Sequence, residues 1–574
     1  MTTSWPGYSG TQPPHPAAPP AGGDGTAESE ATRLLCVAAH QDPEFAERVI
    51  RDVLEEEHRA VCPSYGIDLV PIIRHCLAAR RRRIVRDALL LAVVLVGLMV
   101  QPLLTFFFAT TAYFWYGVYR LATGWRRRGL SRSMLLLAGL VVGFWVFGSL
   151  LTLVVSSVGA VATGASGIAS GSRLLIFLAL FGVVFGIVFV ERSRARDIMV
   201  KSLSARAFEP KHAPRASADD ERRLRRLGDQ QHGNVTVYSR YSPFVGAGVL
   251  RETWSFAVDL ARSAARPDRF GYDGGPPVEL PPVQVTDLQR WVTERLSRLG
   301  DVHLYGGDRL TGLQLQRQVF VNGQAIRGSE LFLPDPHGAP TIRIDEGMLQ
   351  RIAHDQTGPV RQYLCVRASS WEEELVVSFF LHMAITGRTL FMESTICLLP
   401  PIKPEYHKVD SMPVEMTPGA LLQLLKSSLL ALVPAFCAAP VELAMVLSSP
   451  LRRHIRRRSA QAAIREDLGF DYGAETSVRE LGMADGYDNY FQRLDADKFR
   501  KLVELHVFQA VVDFLEDRGV DTSALREHQV HIQNSHTINF GDNANITGGA
   551  VSIGAGATAS SATGGQGPVG AAGR

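Results

Sequence analysis

Two long stretches almost without charge, Met134 to Val158 and Leu174 to Val190, constrain this chain more than any other feature. Each is long enough to cross the hydrocarbon core of a bilayer as a helix. The connection between them, residues 159–172, consists mostly of small residues and carries no charge, whereas arginines flank the pair on both sides. Because positive residues favour the cytoplasmic side of a bacterial membrane, this pattern predicts two transmembrane helices joined by a short external loop.

An earlier apolar run extends from Ala88 to about Tyr119 and is interrupted only by Gln101-Pro102. It is too long for one ordinary span and short for two. Arginines precede it and follow it, which places both ends on the same side of a membrane. The pattern therefore favours a membrane hairpin that turns near Gln101-Pro102, and one long tilted helix is the alternative.

A later apolar segment, residues 416–448, differs from the others because it contains charges and prolines. Lys426, Pro434, Pro440 and Glu442 interrupt it, and an arginine cluster follows it directly. A single span would place those arginines outside, against the positive-inside pattern of the upstream segments. The sequence thus predicts a re-entrant or interfacial hydrophobic hairpin that is bent at the prolines.

The pattern of apolar and polar residues between 233 and 410 is typical of a water-exposed domain that contains both strands and helices. Val285 to Leu299 repeats apolar residues at helical spacing. Glu374 to Ile385 and Thr389 to Leu398 are rich in strand-forming residues and flank Gly387, which favours a hairpin. The predicted fold class is consequently a multi-pass α-helical membrane protein with a cytoplasmic α+β domain, a C-terminal helical region and an Asn/Gly-rich tail.

The predicted organisation divides the chain into nine regions. They are a disordered N-terminus (1–30), a cytoplasmic helical region (31–83), a membrane hairpin (84–122), two transmembrane helices (133–190), a basic juxtamembrane linker (191–232), a cytoplasmic α+β domain (233–410), the re-entrant or interfacial hairpin (416–448), a cytoplasmic helical region (450–527) and the tail (528–574).

The sequence contains no recognisable catalytic or metal-binding motif. Patterns for serine hydrolases, zinc proteases, nucleotide-binding loops and dinucleotide folds are absent, and the six cysteines form no CxxC pair. The histidines and aspartates of the α+β domain lie at no metal-ligand spacing, so neither a cofactor nor a metal is predicted. The near balance of 60 basic and 57 acidic residues indicates no nucleic-acid partner.

The tail alternates short β-prone pairs with Asn and Gly, a pattern that suits identical segments stacking between copies. It resembles the short amyloid signalling motifs that multicellular bacteria attach to membrane and regulatory proteins. That resemblance implies homotypic assembly, whereas a plain disordered tail and a short repeat that caps its own domain are the alternatives. The candidate assembly residues are Ile532, Ile538, Asn539, Phe540, Asn543, Asn545, Ile546, Val551 and Ile553.

The wider chain resembles a group of uncharacterised multi-pass membrane proteins of actinobacteria. The resemblance depends on two blocks, residues 234–246 with the sequence NVTVYSRYSPFVG and residues 490–498 with YFQRLDADK. It brings no known activity with it, so it bears on the identity of the whole chain and leaves its function open.

Together these patterns predict a membrane-anchored, non-enzymatic sensor or scaffold in a bacterial inner membrane, with both termini cytoplasmic. Membrane lipid is the expected partner, and the tail is expected to bind copies of itself or another protein. An enzyme in the 233–410 domain is one alternative. A small transporter or channel around Lys426 and Glu442 is the other, since ionisable residues within a bilayer are typical of ion paths.

Overall fold

The computed structural model describes residues 29–100, 167–260, 283–301, 310, 312–355, 358–466, 469–523 and 525–527, together with scattered positions between 102 and 117. The described residues form a helical unit near the N-terminus, a mixed β-sheet with helices on one face, and a cluster of apolar helices. The predicted disordered N-terminus and the predicted tail fall outside the described residues, apart from Ser29 and Glu30.

The N-terminal helical unit is built from five helices around one apolar core. Ser29 caps the first helix by accepting the amide hydrogen of Thr32, and Asp42 caps the second by accepting those of Glu44 and Phe45. Only the first part of the third helix and the last turns of the fourth belong to the unit. The helices are α1 (Glu30–Gln41), α2 (Pro43–Val49, continued by the π-helical turn Ile50–Leu54), α3 (Leu69–Val100), α4 (Gly167–Ser202) and α5 (Ala218–Gln230).

Six strands form a single sheet in the order β1-β3-β4-β5-β6-β2, in which only β1 and β3 run parallel. The predicted hairpin is confirmed, because β5 and β6 pair from Val376–Leu399 to Thr386–Thr389 around Gly387. Gly387 has a φ of 61°, a conformation that suits glycine in a tight turn. The strands are β1 (Val235–Tyr238), β2 (Val249–Asp259), β3 (Gln314–Asn322), β4 (Val360–Ser370), β5 (Leu375–Thr386) and β6 (Thr389–Leu399).

Helices cover one face of the sheet. The predicted amphipathic helix is confirmed as α6 (Val285–Ser297), and it is followed by α7 (Glu346–His354). The long helix α11 (Tyr490–Glu516), which is 231 residues beyond the end of β2 in sequence, packs on the same face and shares one apolar core with the strands. The sheet and the C-terminal helix therefore form one packed body.

The segment between the sheet and α11 contains three more helices: α8 (Pro418–Leu447), α9 (Ser449–Arg465) and the short α10 (Val478–Gly482). The hairpin predicted at the prolines is not observed, since α8 is one continuous helix that includes both Pro434 and Pro440. A proline inside a helix removes one backbone hydrogen bond without necessarily ending the helix.

The predicted multi-pass membrane architecture is wrong. Among the described residues, one helix, α8, is long and apolar enough to cross a membrane. The predicted span Leu174–Val190 is instead the middle of α4, a 36-residue helix whose last turns pack into the N-terminal core. An apolar run by itself does not distinguish a membrane span from part of a longer helix whose other end packs in a protein core. The other predicted span, Met134–Val158, lies outside the described residues.

The predicted hairpin over 84–122 is described only in part. The described part of α3 runs to Val100, and Gln101 lies outside the described residues. A Cβ atom added to Gly97 would lie 2.9 Å from the hydroxyl of Thr105, so Thr105 lies against this part of α3. Most of residues 101–122 lie outside the described part of the chain.

Candidate functional site

Three apolar helical segments pack together next to the N-terminal unit. The buried residues at the centre of this cluster are Leu90 of α3, Val184 and Val188 of α4, and Ala435 and Ala439 of α8. The outer faces remain uncovered, and in the most apolar stretch of α8 only 17% of the residues are buried. Exposed large apolar side chains include Leu89, Leu95, Val96 and Met99 of α3, Leu175, Leu178, Phe181 and Val183 of α4, and Leu422, Leu429, Leu430 and Val441 of α8.

Arginines surround the junction between this apolar cluster and the N-terminal unit. We call them the arginine belt, and they come from α3, α4 and α9, which are distant in sequence. Many of them also bind carboxylates of the unit; Arg453 and Arg456, for example, both lie 2.7 Å from the carboxylate of Glu55. The belt consists of Arg80, Arg81, Arg82, Arg83, Arg86, Arg192, Arg194, Arg196, Arg452, Arg453, Arg456, Arg457 and Arg458.

Both ends of α8 are held by the same N-terminal unit. Just before the helix, Nη2 of Arg196 donates to the carbonyl of Pro413 at 2.5 Å. Near its end Arg86 lies 3.4 Å from Glu442, and the arginines of α9 bind Glu55 directly afterwards. A helix of this length is about 45 Å long, and its two ends cannot lie on opposite sides of a bilayer while they contact one compact unit. The contacts therefore hold both ends of α8 against the same part of the folded chain.

A cavity of about 710 Å³, which we call the arginine cavity, opens between α3, α4, α8 and the N-terminal unit. Part of the lining, which we call the apolar wall, includes Val188, Leu424 and Ala435. The lining also includes five cationic residues and two carboxylates. The charged residues are Arg83, Arg86, Arg192, Arg196 and Lys408, with Glu191 and Glu442.

The two carboxylates of the cavity already have cationic partners within the protein. Glu442 lies 3.4 Å from Arg86, and Glu191 lies 3.0 Å from Arg82, outside the cavity wall. Asp87, next to this pair, is buried, and burial raises the pKa of its carboxyl. Glu442 also favours the charged form of Arg83, and Glu191 that of Arg192, but five cations against two carboxylates leave the lining with an excess of positive charge.

Arg83 and Arg196 are the most buried of these residues, and each is only 8% exposed. Nη1 of Arg83 makes no hydrogen bond to any described residue. Burial lowers the pKa of Arg83, while the nearby Glu442 raises it. A buried guanidinium nitrogen without an acceptor is costly, and Nη1 itself is enclosed by protein atoms.

A second cavity of about 1100 Å³ lies beside the same helices and is also lined by both apolar and basic residues. Its walls include Leu89, Val183 and Val446 together with Arg81, Arg194 and Arg215. The mixture of arginines and apolar surface is thus a property of the whole junction and not of one cavity.

The sequence comparisons bear on the sheet and on α8 to α11. The AbeC-like domain model matches residues 253–551, which is just over half of the chain. The chain belongs to the AbeC-like domain family. No curated protein and no solved structure matches it. The match begins within β2 and includes β3 to β6, α8 and α11, so in this AbeC-like chain the family segment contains the most apolar helix as well as the sheet.

The structure does not describe the residues of the predicted assembly motif in this AbeC-like chain. Ile532, Ile538, Asn539, Phe540, Asn543, Asn545, Ile546, Val551 and Ile553 all lie outside the described residues. Within the described ranges, no group of three or more His, Cys, Asp or Glu residues is arranged to hold a metal ion.

The polar residues of the 233–410 region have separate structural roles in the AbeC-like chain. Asp345 caps α7 by accepting the amide hydrogen of Met348. His382 is buried and its Nδ1 lies 2.9 Å from the carbonyl of Gln362. Asp335 accepts the amide hydrogen of His337 in a turn. Each of the three residues thus has its own local hydrogen-bonding partner, and these contacts do not bring the three together.

Sequence reasoning missed the arginine cavity. It treated Arg83, Arg192 and Arg196 as markers of membrane topology or of a basic linker, although the spacing of Arg192 and Arg196 places both on one helical face. The linker itself folds, since Leu224 and Leu227 of α5 are buried and Arg223 binds Glu57 at 2.9 Å.

Proposed function

We propose that this AbeC-like chain is a membrane-attached sensor or scaffold, held at a lipid surface by α8 and by the apolar halves of α3 and α4. The observation that carries the proposal is the exposed apolar cluster bordered by the arginine belt. Large exposed apolar patches are rare on proteins that contact only water. Apolar side chains beside arginines match the boundary between acyl chains and phosphate headgroups.

The energetic balance favours lipid contact. Leu422, Leu429 and Leu430 of α8 are 68%, 56% and 70% exposed. Burying each of these side chains in an acyl environment contributes about 1.5–3 kcal/mol. Basic residues near an anionic surface contribute about 1 kcal/mol each. The arginines favour the cytoplasmic face of a bacterial inner membrane, where anionic lipid and positive flanking residues occur together.

The sheet and α11 would then be presented to the aqueous side. The described residues of the 233–410 region show no convergence of the candidate groups discussed above, and a role in binding is therefore proposed ahead of catalysis. The tail, with its alternating apolar and Asn/Gly residues, is proposed as the segment through which copies or partners assemble.

Membrane attachment predicts that the purified full chain floats with vesicles of phosphatidylcholine and phosphatidylglycerol in a density gradient. Replacing both Leu429 and Leu430 with glutamate removes two apolar contacts and adds two negative charges near an anionic surface. We expect the fraction bound to fall at least tenfold, because the loss of even one buried leucine is worth about that much.

The matched control for this experiment is Phe491→Glu, which changes an apolar residue that is 62% exposed but lies on α11. Its flotation should equal that of the unmodified chain. A full chain that stays at the bottom of the gradient with vesicles present would show that the apolar cluster does not bind lipid.

Assembly through the tail predicts that two differently tagged copies of the full chain co-purify. Ile538→Pro should abolish this, because proline removes a backbone donor from a stacked strand. Ala557→Pro, which lies in the Gly/Ala/Ser-rich end of the tail, is the control and should leave co-purification unchanged. Equal recovery of the two variants would contradict the stacked-strand interpretation.

A further inference from the structure

We propose that the arginine cavity binds the phosphate group of an anionic phospholipid, with Arg83, Arg192 and Arg196 around the phosphate and the acyl chains along the apolar wall. The inference rests on the proposed membrane attachment and makes it specific. It adds a defined headgroup site to a general affinity for lipid.

The first step of the argument is charge. Five cations and two carboxylates line the cavity, and the carboxylates lie beside Arg86 and Arg82. The lining therefore carries three more cations than carboxylates, although Glu442 and Glu191 also act on Arg83 and Arg192. Guanidinium groups bind phosphate oxygens through paired N–H donors, which makes arginine the common choice for such sites.

The second step is burial. Arg83 is 8% exposed and its Nη1 has no acceptor among the described residues, while the pKa of the side chain is lowered by that burial. Arg196 is equally buried, and its Nη2 holds the carbonyl of Pro413, which fixes the guanidinium at the cavity wall. A phosphate between these residues would compensate the charge of both buried guanidinium groups, and because Nη1 of Arg83 is itself enclosed by protein atoms, it gains an acceptor only when that side chain rotates.

The third step is the shape of the ligand. A free phosphate would satisfy the arginines but not the apolar wall formed by Val188, Leu424, Ala431 and Ala435. The exposed apolar faces of α4 and α8 continue from that wall. A ligand with a phosphate at one end and hydrocarbon at the other matches both surfaces, and a volume of about 710 Å³ accommodates a headgroup with part of its chains.

The test is a titration of the detergent-purified full chain with short-chain lipid. Dioctanoyl phosphatidylglycerol, dioctanoyl phosphatidylcholine and inorganic phosphate are compared by calorimetry. We expect the tightest binding for phosphatidylglycerol. Arg83→Gln should weaken it about 10- to 100-fold, as expected for the loss of a charge-assisted hydrogen bond. Arg83→Lys should restore part of the affinity.

Controls separate a specific site from misfolding. Arg206→Gln changes an exposed arginine that lines neither cavity and should bind phosphatidylglycerol like the unmodified chain. Circular dichroism checks that each variant is folded. Should Arg83→Gln not fold, Arg192→Gln, whose side chain is only partly buried, replaces it with the same expected loss.

The outcomes are distinct from those of the flotation experiment. Unchanged affinity of folded Arg83→Gln and Arg192→Gln would overturn the headgroup site even if the chain floats. Inorganic phosphate binding as tightly as phosphatidylglycerol would also overturn it, because the apolar wall would then contribute nothing. Lipid binding that depends on Arg83 in a chain that does not float would support the site and reject the proposed membrane attachment.

Discussion

Replacing Phe508 with alanine should lower the free energy of unfolding by about 3–5 kcal/mol, the usual cost of removing a buried phenylalanine. Phe508 lies on α11, is 2% exposed and packs on the sheet. Its ring centroid lies 5.1 Å from that of Trp254 and 5.7 Å from that of Phe256, both in β2. The change leaves a cavity between the C-terminal helix and the strands that neighbouring rings cannot fill without moving.

Urea unfolding followed by both tryptophan fluorescence and far-ultraviolet circular dichroism checks this expectation. Because α11 and the sheet share one core, the two signals should shift together to a lower midpoint. The control is Phe491→Ala on the same helix, where a side chain that is 62% exposed is lost and the midpoint should change little. A tryptophan signal that keeps its midpoint while the helical signal moves would show that the sheet folds independently of α11.

This shared core marks the limit of what the sequence predicts about the fold. The β5–β6 hairpin and α6 are predictable because their patterns are local: strand residues around a glycine turn, and apolar residues at helical spacing. The apolar positions of α11 predict a covered face as well. They do not show which element covers that face. The contact between β2 and α11 forms only in the folded chain, and no local pattern in either segment predicts it.

The apolar helices show a different limit. The charge-poor runs identify the segments that avoid water, and the run in α8 is the one helix among the described residues that could cross a membrane. What decides the orientation of α8 is a pair of distant contacts, Arg196 with Pro413 and Arg453 with Glu55. These tie both ends to one unit. No pattern within residues 416–448 predicts contacts with such distant residues. The sequence therefore predicted a hairpin, whereas the structure has one continuous helix with contacts near both ends.

The candidate site was hidden for the same reason. Arg83, Arg196 and Glu442 belong to three helices whose order in space depends on the whole junction. Each arginine, taken in the sequence, has the ordinary explanation of a positive flank beside an apolar run. Only their convergence on one cavity, beside apolar residues, makes this a candidate binding site.

Acidification from pH 6.5 to 4 should destabilise the protein by up to about 3 kcal/mol through one residue, His75. The ring of His75 is buried, and burial lowers its pKa to about 4. In the unfolded chain an ordinary histidine titrates near 6.5. Between these two pH values the unfolded state binds the extra proton, so the free energy of unfolding falls as the pH falls, by about 1.4 kcal/mol for each pKa unit.

The surroundings of His75 give no compensation for a proton. Its Nδ1 lies 3.0 Å from Nε2 of His40, whose own pKa is lowered by burial, by His75 and by the nearby Arg82 and Arg83. A proton on His40 would lie near two guanidinium groups, and a proton on His75 would be buried away from water. His407 has the opposite effect, because its hydrogen bond with Glu374 raises its pKa. The contribution of His75 to the pH dependence of stability must therefore be measured by comparing a His75 variant with the unmodified chain.

Denaturant unfolding at a series of pH values from 4.5 to 7.5 isolates the contribution of His75. His75→Gln keeps a polar side chain but cannot titrate, so its stability should decline less on acidification than that of the unmodified chain. His212→Gln, at an exposed position after α4, is the control and should follow the unmodified curve. Parallel curves for His75→Gln and the unmodified chain would contradict this prediction. They would show that protonation of His75 does not cause the loss of stability in acid. Divergent curves would place the acid-sensitive point directly beside the wall of the arginine cavity, since His40 lines it.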